Sequence, residues 1–551
     1  MKRKKIRRIL TALFIVIFFT LPLAALLFQS LQAENESLAH LWRTLLLDYS
    51  LNSLLLVCGT VILSLIFALP CAWIVSNFTF REQKILQWLL CLPLAMPAYL
   101  IGYLYTDLLD YSGPVQSLLR DIFGWKTTQD YWFPTVRSLG GACCVLALAL
   151  YPYIFLLARI ALLELPQNLH DSARLFGLNL RQRLLKLVLP FTRPAIAVGA
   201  SLVAMETLGD FGTVAYFALP TLTTAIYDTW LGYGDLGSAS RISLLMLLFI
   251  LIFILAEAYS RRRQKIYQRG YEQKTHIRRL RGSGLWFARL YCWGLITAAF
   301  FIPVAKLLYW AIHYFEAEQL QSFLQYAYHS LLSSIGAATI CVLLALLLHF
   351  IHRSAGQQQG LPYHFGRLSL QLSGLGYALP GTVLAIGILI VYTRADHVLN
   401  AILQSIGLPS LGLLLSGSVL ALISAYVIRF SAMALGSIQT ALNKIPPALD
   451  MAGRSLGCND YAIFRRIQLP LLGKGILTAF LLVFIESMKE LNASLLLRPF
   501  NFDTLATYVF AFTSDEQLEQ AALPALWLIC VGLIPVIWLT RSLLLQAQQE
   551  R

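Results

Sequence analysis

Four carboxylates interrupt stretches of this sequence that are otherwise apolar. Glu206 and Asp210 lie in "METLGDFGTV", and Glu486 and Glu490 lie in "IESMKELNAS", at a constant offset of 280 positions. Within each pair the acids are four residues apart, so on a helix they share one face. They fall about 12–16 residues into segments of spanning character, roughly 18–24 Å along a helix and at or beyond the bilayer middle. Carboxylates at such depth are costly and usually face a protein interior or a water-filled path. Their oxygens suit hard cations. The four acids are therefore candidates for lining a translocation path, and weaker candidates for direct metal ligation. The plain structural reading is that Glu490 pairs with Lys489 or Arg498 and that Asp210 caps backbone near Gly209 and Gly212.

A second constellation is also written twice. "RLFGLNLRQRLLKLVLP" (174–190) returns as "RSLGCNDYAIFRRIQLP" (454–470), again offset by 280. Pro166 and Pro446-Pro447 suit a first helical turn, and Gly177 and Gly457 suit a position just past a helix end. Short helices are expected between them, with small residues (Ser172, Ala173, Ala452, Gly453) leaving one flank open to close contact. A basic amphipathic stretch comes next, and Leu189-Pro190 or Leu469-Pro470 sets the entry into the next apolar segment. Such an element is a knob held out from the membrane. The competing account is two ordinary interfacial helices, which the matched Pro, Gly and Leu-Pro spacing disfavours.

The elements that position these residues can be read from composition. The chain has 551 residues, 58% hydrophobic and 13% charged, about half the charged fraction of a soluble protein. Runs such as "ISLLMLLFILIFILA" (242–256) are apolar on every face, as a lipid-solvated helix requires. The fold class is an all-α polytopic membrane protein. About twelve transmembrane helices are expected near 9–31, 50–76, 86–106, 138–163, 194–218, 241–260, 286–310, 329–351, 369–392, 412–440, 475–496 and 521–543. The net charge of +15 is concentrated in "MKRKKIRR", in 261–281 and in the two knobs. This alternation is the positive-inside pattern, which places those segments and both termini in the cytoplasm and argues against nucleic acid as a partner. The nine cysteines form no CxxC pair and read as small packing residues. The N-terminal apolar core is about twenty residues, longer than a signal h-region, and reads as a retained first span.

The halves read as a duplication. "NSLLLVCGT" (52–60) resembles "HSLLSSIGA" (329–337), and "AMPAYLIG" (95–102) resembles "ALPGTVLAIG" (378–387). Six spans per half give two parallel six-helix repeats. The expected organisation is 1–260 as the first transmembrane repeat, 261–285 as a basic cytoplasmic linker and 286–551 as the second transmembrane repeat.

The duplicated knobs resemble the EAA loop of binding-protein-dependent ABC importer permeases, whose pattern is Glu-Ala-Ala, a glycine four residues on, then Leu-Pro. The resemblance places Asp171-Ser172-Ala173 and Met451-Ala452-Gly453 on the Glu-Ala-Ala site, followed by Arg174 and Arg454. Gly177 and Gly457 take the glycine, and Leu189-Pro190 and Leu469-Pro470 the Leu-Pro. The first copy carries Asp for Glu; the second carries Met there, with its acid one place earlier at Asp450. In that family the loop docks into the ATP-hydrolysing subunit, so these residues would be the ATPase-coupling set. "GDFGTVAYF" and "KELNASLLLRP" further resemble the fused permeases of ferric iron importers, with Asn492 and Ser494 where that family has Pro and Thr.

The resemblance implies an inner-membrane transport subunit that is not an enzyme and binds no cofactor of its own. No GxxxxGK[ST] phosphate loop occurs, so ATP would be used by two copies of a separate subunit at the cytoplasmic loops. A periplasmic ferric binding protein would deliver cargo to outer loops carrying Asp107, Asp110, Asp228, Asp235, Glu316, Glu318 and Asp503. The alternatives are the same machinery for thiamine, aminoethylphosphonate or a polyamine, a twelve-helix secondary transporter, or a membrane-embedded enzyme. The last lacks a nucleophile–histidine or histidine-cluster motif.

Overall fold

The computed structural model describes residues 2–32, 46–163, 175–177, 179–261, 278–314, 319–355 and 361–549. Long runs of Leu, Ile, Val, Phe and Ala form helices because lipid offers the backbone no hydrogen-bonding partner. The principal helices are α1 (Lys2–Gln32), α2 (Leu46–Asn77), α3 (Ala98–Leu109), α4 (Leu139–Leu163), α5 (Leu189–Gly209) and α6 (Leu236–Arg261) in the first half. The second half contributes α7 (Ser283–Ile296), α8 (Ile302–His313), α9 (Gln319–Ala355), α10 (Leu361–Gly374), α11 (Gly381–Ser405), α12 (Val419–Asn443), α13 (Pro447–Ser455), α14 (Gly473–Lys489), α15 (Asn492–Leu497) and α16 (Ala522–Gln549). Among the described residues nine helices are long and apolar enough to cross a bilayer, or up to eleven if two bent helix pairs each count as one span. The twelfth expected segment falls on α16, whose described apolar stretch is only Ala522–Ile537.

Four of the expected spans are interrupted. The segment near 86–106 breaks at Pro97, with a bend of 91° between its parts. Met96 is extended (φ −102°, ψ 128°) because the proline ring after it disfavours the helical region. The segment near 369–392 breaks in the same way at Pro380, after an extended Leu379 (φ −83°, ψ 126°). The segment near 194–218 ends as a helix at Gly209, and its counterpart near 475–496 ends at Lys489. Each of these last two is followed by an extended acid and a new short helix.

The chain divides into two compact units, one of Met1–Ala39, Ile226–Leu244 and Glu316–Ala511, the other of His40–Ala225, Leu245–Phe315 and Phe512–Arg551. In the first, α9, α12 and α14 pack on one another; in the second, α2, α4 and α5 do. These trios are equivalent elements of the two repeats. The units are nevertheless not the two sequence halves. Helix α1 packs on α10 and α11, where Ser369 Oγ donates to Ala12 O at 3.1 Å and Arg394 Nη2 to Gln29 Oε1 at 2.9 Å. Helices α7, α8 and α16 pack in the other unit: Arg289 pairs with Glu82 at 2.7 Å, Lys306 with Asp107 at 2.9 Å, and Tyr291 Oη donates to Ile66 O at 2.7 Å. The first helix of each repeat therefore belongs to the unit built around the other repeat's trio.

Candidate functional site

The surface element of the second repeat is fully described. Pro446 precedes α13 with φ −58° and ψ 136°, and Pro447 opens the first turn, where its missing N–H costs nothing. The helix stops in a Schellman arrangement: Gly457 N donates to Arg454 O at 2.9 Å and Cys458 N to Gly453 O at 3.0 Å. That closure puts Gly457 at φ +81°, a conformation glycine adopts without penalty. Asn459 then caps the next turn, its Oδ1 accepting from Ala462 N at 2.8 Å. A π-helical turn, Phe464–Gln468, leads into Leu469 and Pro470.

One face of this element is fastened to its unit. Asp450 is buried, accepting from Arg353 Nε at 2.6 Å through one oxygen and from Gln468 Nε2 at 3.0 Å through the other. Arg353, on the last turn of α9, also donates to Leu442 O at 3.2 Å and Ile445 O at 3.3 Å. The acid displaced by one place from the Glu-Ala-Ala position is thus the strut that ties α13 to α9 and to the end of α12. Gly453 is buried as well, and a Cβ there would meet Ile463 and Ile467 side chains at 3.1 Å. Arg454 lies across the cleft beside Asp460, at 3.4 Å.

The other face is open. Met451 is 53% exposed and Leu456 is 84% exposed, and Ala452 is exposed beside them. In the first repeat Asp171, Ser172, Ala173 and Arg174 lie outside the described residues. The described remainder follows the second copy. Gly177 has φ +68°. Asn179 Oδ1 accepts from Gln182 N at 2.9 Å, and a π-helical turn at Leu184–Val188 precedes Leu189-Pro190. Phe176, the counterpart of Leu456, is 83% exposed. Sequence reasoning passed over this pair of apolar tips; the available signal was a large apolar residue directly before each matched glycine.

The four acids are positioned differently from expectation. Asp210 and Glu490 do not share a helical face with Glu206 and Glu486, because both helices end one residue before them. Asp210 (φ −67°, ψ 125°) and Glu490 (φ −69°, ψ 112°) are equivalent breaks in the chain. Each comes after a helix running from the Leu-Pro region, about 30 Å long in α5, so the acids stand at that helix's far end. Asp210 accepts from Thr213 N at 2.9 Å, Thr213 Oγ1 at 3.1 Å and Val214 N at 3.3 Å. Glu490 pairs with Arg429 at 2.8 Å and accepts from Ala493 N at 3.1 Å. Glu486 pairs with Lys489 at 2.9 Å, and Arg498 pairs with Asp503. Glu206, half-buried, stands one turn before its break. Among the described residues no three His, Cys, Asp or Glu side chains gather to hold a metal ion.

A further matched pair anchors the second helix beyond each break, Leu222–Tyr227 in the first repeat and Leu505–Ser514 in the second. Ser53 Oγ accepts from Leu222 N at 2.9 Å, and Ser330 Oγ accepts from Leu505 N at 2.7 Å. Thr221–Thr224 and Thr504–Thr507 form equivalent hydroxyl turns beside them. The two serines lie in the duplicated "NSLL" and "HSLL", whose role the sequence alone did not disclose.

Residues 49–265 match the family of binding-protein-dependent transport system inner membrane components. The Fe(3+)-transport system permease protein FbpB 2 of Haemophilus influenzae is 25% identical, across 96% of this chain and 97% of that protein. The ferric transport system permease protein FbpB of Actinobacillus pleuropneumoniae is 23% identical, across 93% of this chain and 74% of that protein. The molybdenum transport system permease protein ModB of Escherichia coli is 28% identical over 39% of this chain and 90% of itself, a length close to one repeat. These likenesses, with the apolar helices described above, support a multi-pass inner-membrane protein of the kind that serves as a fused permease subunit of a binding-protein-dependent ABC importer. Over nearly its whole length this chain is similar to the ferric permeases.

Proposed function

We propose that this permease forms the path for ferric iron, delivered by a periplasmic binding protein and driven by two copies of an ATP-binding subunit. The observation that carries the cargo is the near-end-to-end likeness to FbpB 2. The duplicated surface element carries the drive: two matched knobs, each with an exposed apolar tip, offer one docking point per ATPase copy on the cytoplasmic side. Asp450 and Arg353 make α13 rigid against α9, so force applied at Met451 and Leu456 is transmitted to the spans instead of bending a loop. Both termini and the basic linker lie on that same side. The chain contributes no cofactor of its own. Glu206 and Asp210 in the first repeat are read as path-lining acids, as is Glu486 in the second, and selectivity rests with the binding protein.

The molybdenum and sulfate permeases that match about two-fifths of this chain at 28% identity favour a second reading, an oxyanion cargo. One experiment separates the two. Vesicles holding this chain, its ATPase and its binding protein are given labelled Fe³⁺, molybdate or thiamine with ATP inside. ATP-dependent uptake of iron alone is expected. Uptake of molybdate without iron would replace the cargo while leaving the importer class intact.

A further inference from the structure

The Arg429–Glu490 pair has no counterpart in the other repeat. At the offset that relates α12 to α4, Arg429 corresponds to Ala149, and Glu490 corresponds to Asp210. Asp210 is held by its own next turn, through Thr213 and Val214. Glu490 is held by a guanidinium from a different helix, 61 residues away in sequence. Both side chains of that pair are 6% exposed.

Two breaks and one continuous helix meet at this pair. Arg429 comes from the unbroken helix α12. Glu490 closes α14, and its Oε1 also accepts from Ala493 N in the first turn of α15. Gly381, the first residue of α11 after the break at Pro380, lies against both side chains. A Cβ at Gly381 would sit 2.6 Å from Arg429 Nη1 and 3.0 Å from Ala493 N, and would also crowd Glu490 Oε1. A continuous helix, a helix end and a helix start are thus fixed to one another through one charge pair. A carboxylate so engaged, with its charge compensated and its approach closed by Gly381, is badly placed to exchange ligands with a passing cation. A carboxylate capped only by its own turn can change conformation with that turn.

We propose that Arg429 and Glu490 are positioning residues, a latch that holds the second repeat's broken fifth span rigid against α11 and α12. The reshaping of an acidic break during transport then falls to the first repeat, at Asp210. This rests on the transporter reading above and assigns unlike roles to residues at matched positions.

The test uses the full complex with its ATPase and binding protein in vesicles, comparing Glu490→Gln, Arg429→Gln, the double Arg429→Gln/Glu490→Gln and Arg429→Lys. Uptake and ATP hydrolysis are measured per assembled complex. A latch predicts that each single Gln variant, in which a buried charge loses its ion-pair partner, loses at least tenfold in cargo moved per ATP. The double variant, which restores a neutral hydrogen-bonded pair, and Arg429→Lys should recover most of it. A double variant as inactive as Glu490→Gln would show that the carboxylate itself is needed by the cargo and would overturn the proposal. So would a Glu490→Gln variant that transports normally. A fall in uptake and hydrolysis in equal proportion would mean a merely structural role, and would also overturn it. The wild-type complex in the same experiment reports on the cargo separately, so failure of the iron reading is not confused with failure of the latch.

Discussion

At the scale of single residues, the surface element divides its work between buried polar groups and exposed apolar ones. Asp450 and Gly453 face inward and set how α13 sits; Met451, Leu456 and Phe176 face outward and have no part in holding it. Phe176→Asp with Leu456→Asp should therefore leave membrane insertion and detergent stability within about 0.5 kcal/mol of wild type, as surface changes usually do. The same double variant should abolish co-purification of the ATPase subunit, and an undiminished pull-down would remove those tips from the docking surface. Much of this element was legible in the sequence, because proline at a helix start, glycine past its end and a Leu-Pro entry are local signals that need no tertiary knowledge. Arg429 was not legible. It lies within an apolar run, its partner is far along the chain, and its counterpart is alanine, so neither periodicity nor the repeat points to it. The shared face expected for Glu206 and Asp210 failed for a related reason: spacing of four implies a face only while the helix continues, and it stops at Gly209.

At the scale of elements, the two repeats solve one problem twice. A span that breaks inside protein leaves carbonyls unpaired at the helix end and N–H groups unpaired where a following helix starts, and unsatisfied ones are costly where water is absent. The solution is a serine from the second helix of each repeat, Ser53 or Ser330, accepting from the first N–H of a helix beyond the break. Ser330→Ala should strip Leu505 N–H of its acceptor in a buried setting and cost about 1–3 kcal/mol. Thermal unfolding of the detergent-purified protein should report it, and an unchanged midpoint would assign that N–H another partner. The breaks at Pro97 and Pro380 were visible as prolines within apolar runs. Their consequence was not, since a proline in a membrane helix is as often accommodated, as Pro22, Pro70 and Pro152 are here.

At the scale of the whole molecule, sequence halves and compact units diverge. Duplication was readable from matched motifs at a fixed offset. The exchange of first helices was not, because hydropathy says where a helix crosses and nothing about which helices it prefers. The exchange makes each half incomplete. A chain cut within 262–277, with the two pieces co-expressed, should reassemble into a complex that transports, since the sequence there reads as a polar, basic linker between the repeats. Either piece expressed alone should be degraded, lacking the helix that its unit borrows. A stable, monodisperse single half would show that the borrowed helix is dispensable.

The borrowed helix also imposes a timetable. Ala12 and its acceptor carbonyl leave the ribosome 357 residues before Ser369, which donates to it. At about 5–20 residues per second of synthesis, α1 waits roughly 20–70 s for its partners. Until then it lacks those partners and is stable in lipid by its own backbone bonds and by side chains such as Phe14 that stay lipid-facing afterwards. The order of birth and the order of assembly are thus different, and the bilayer serves as the waiting room.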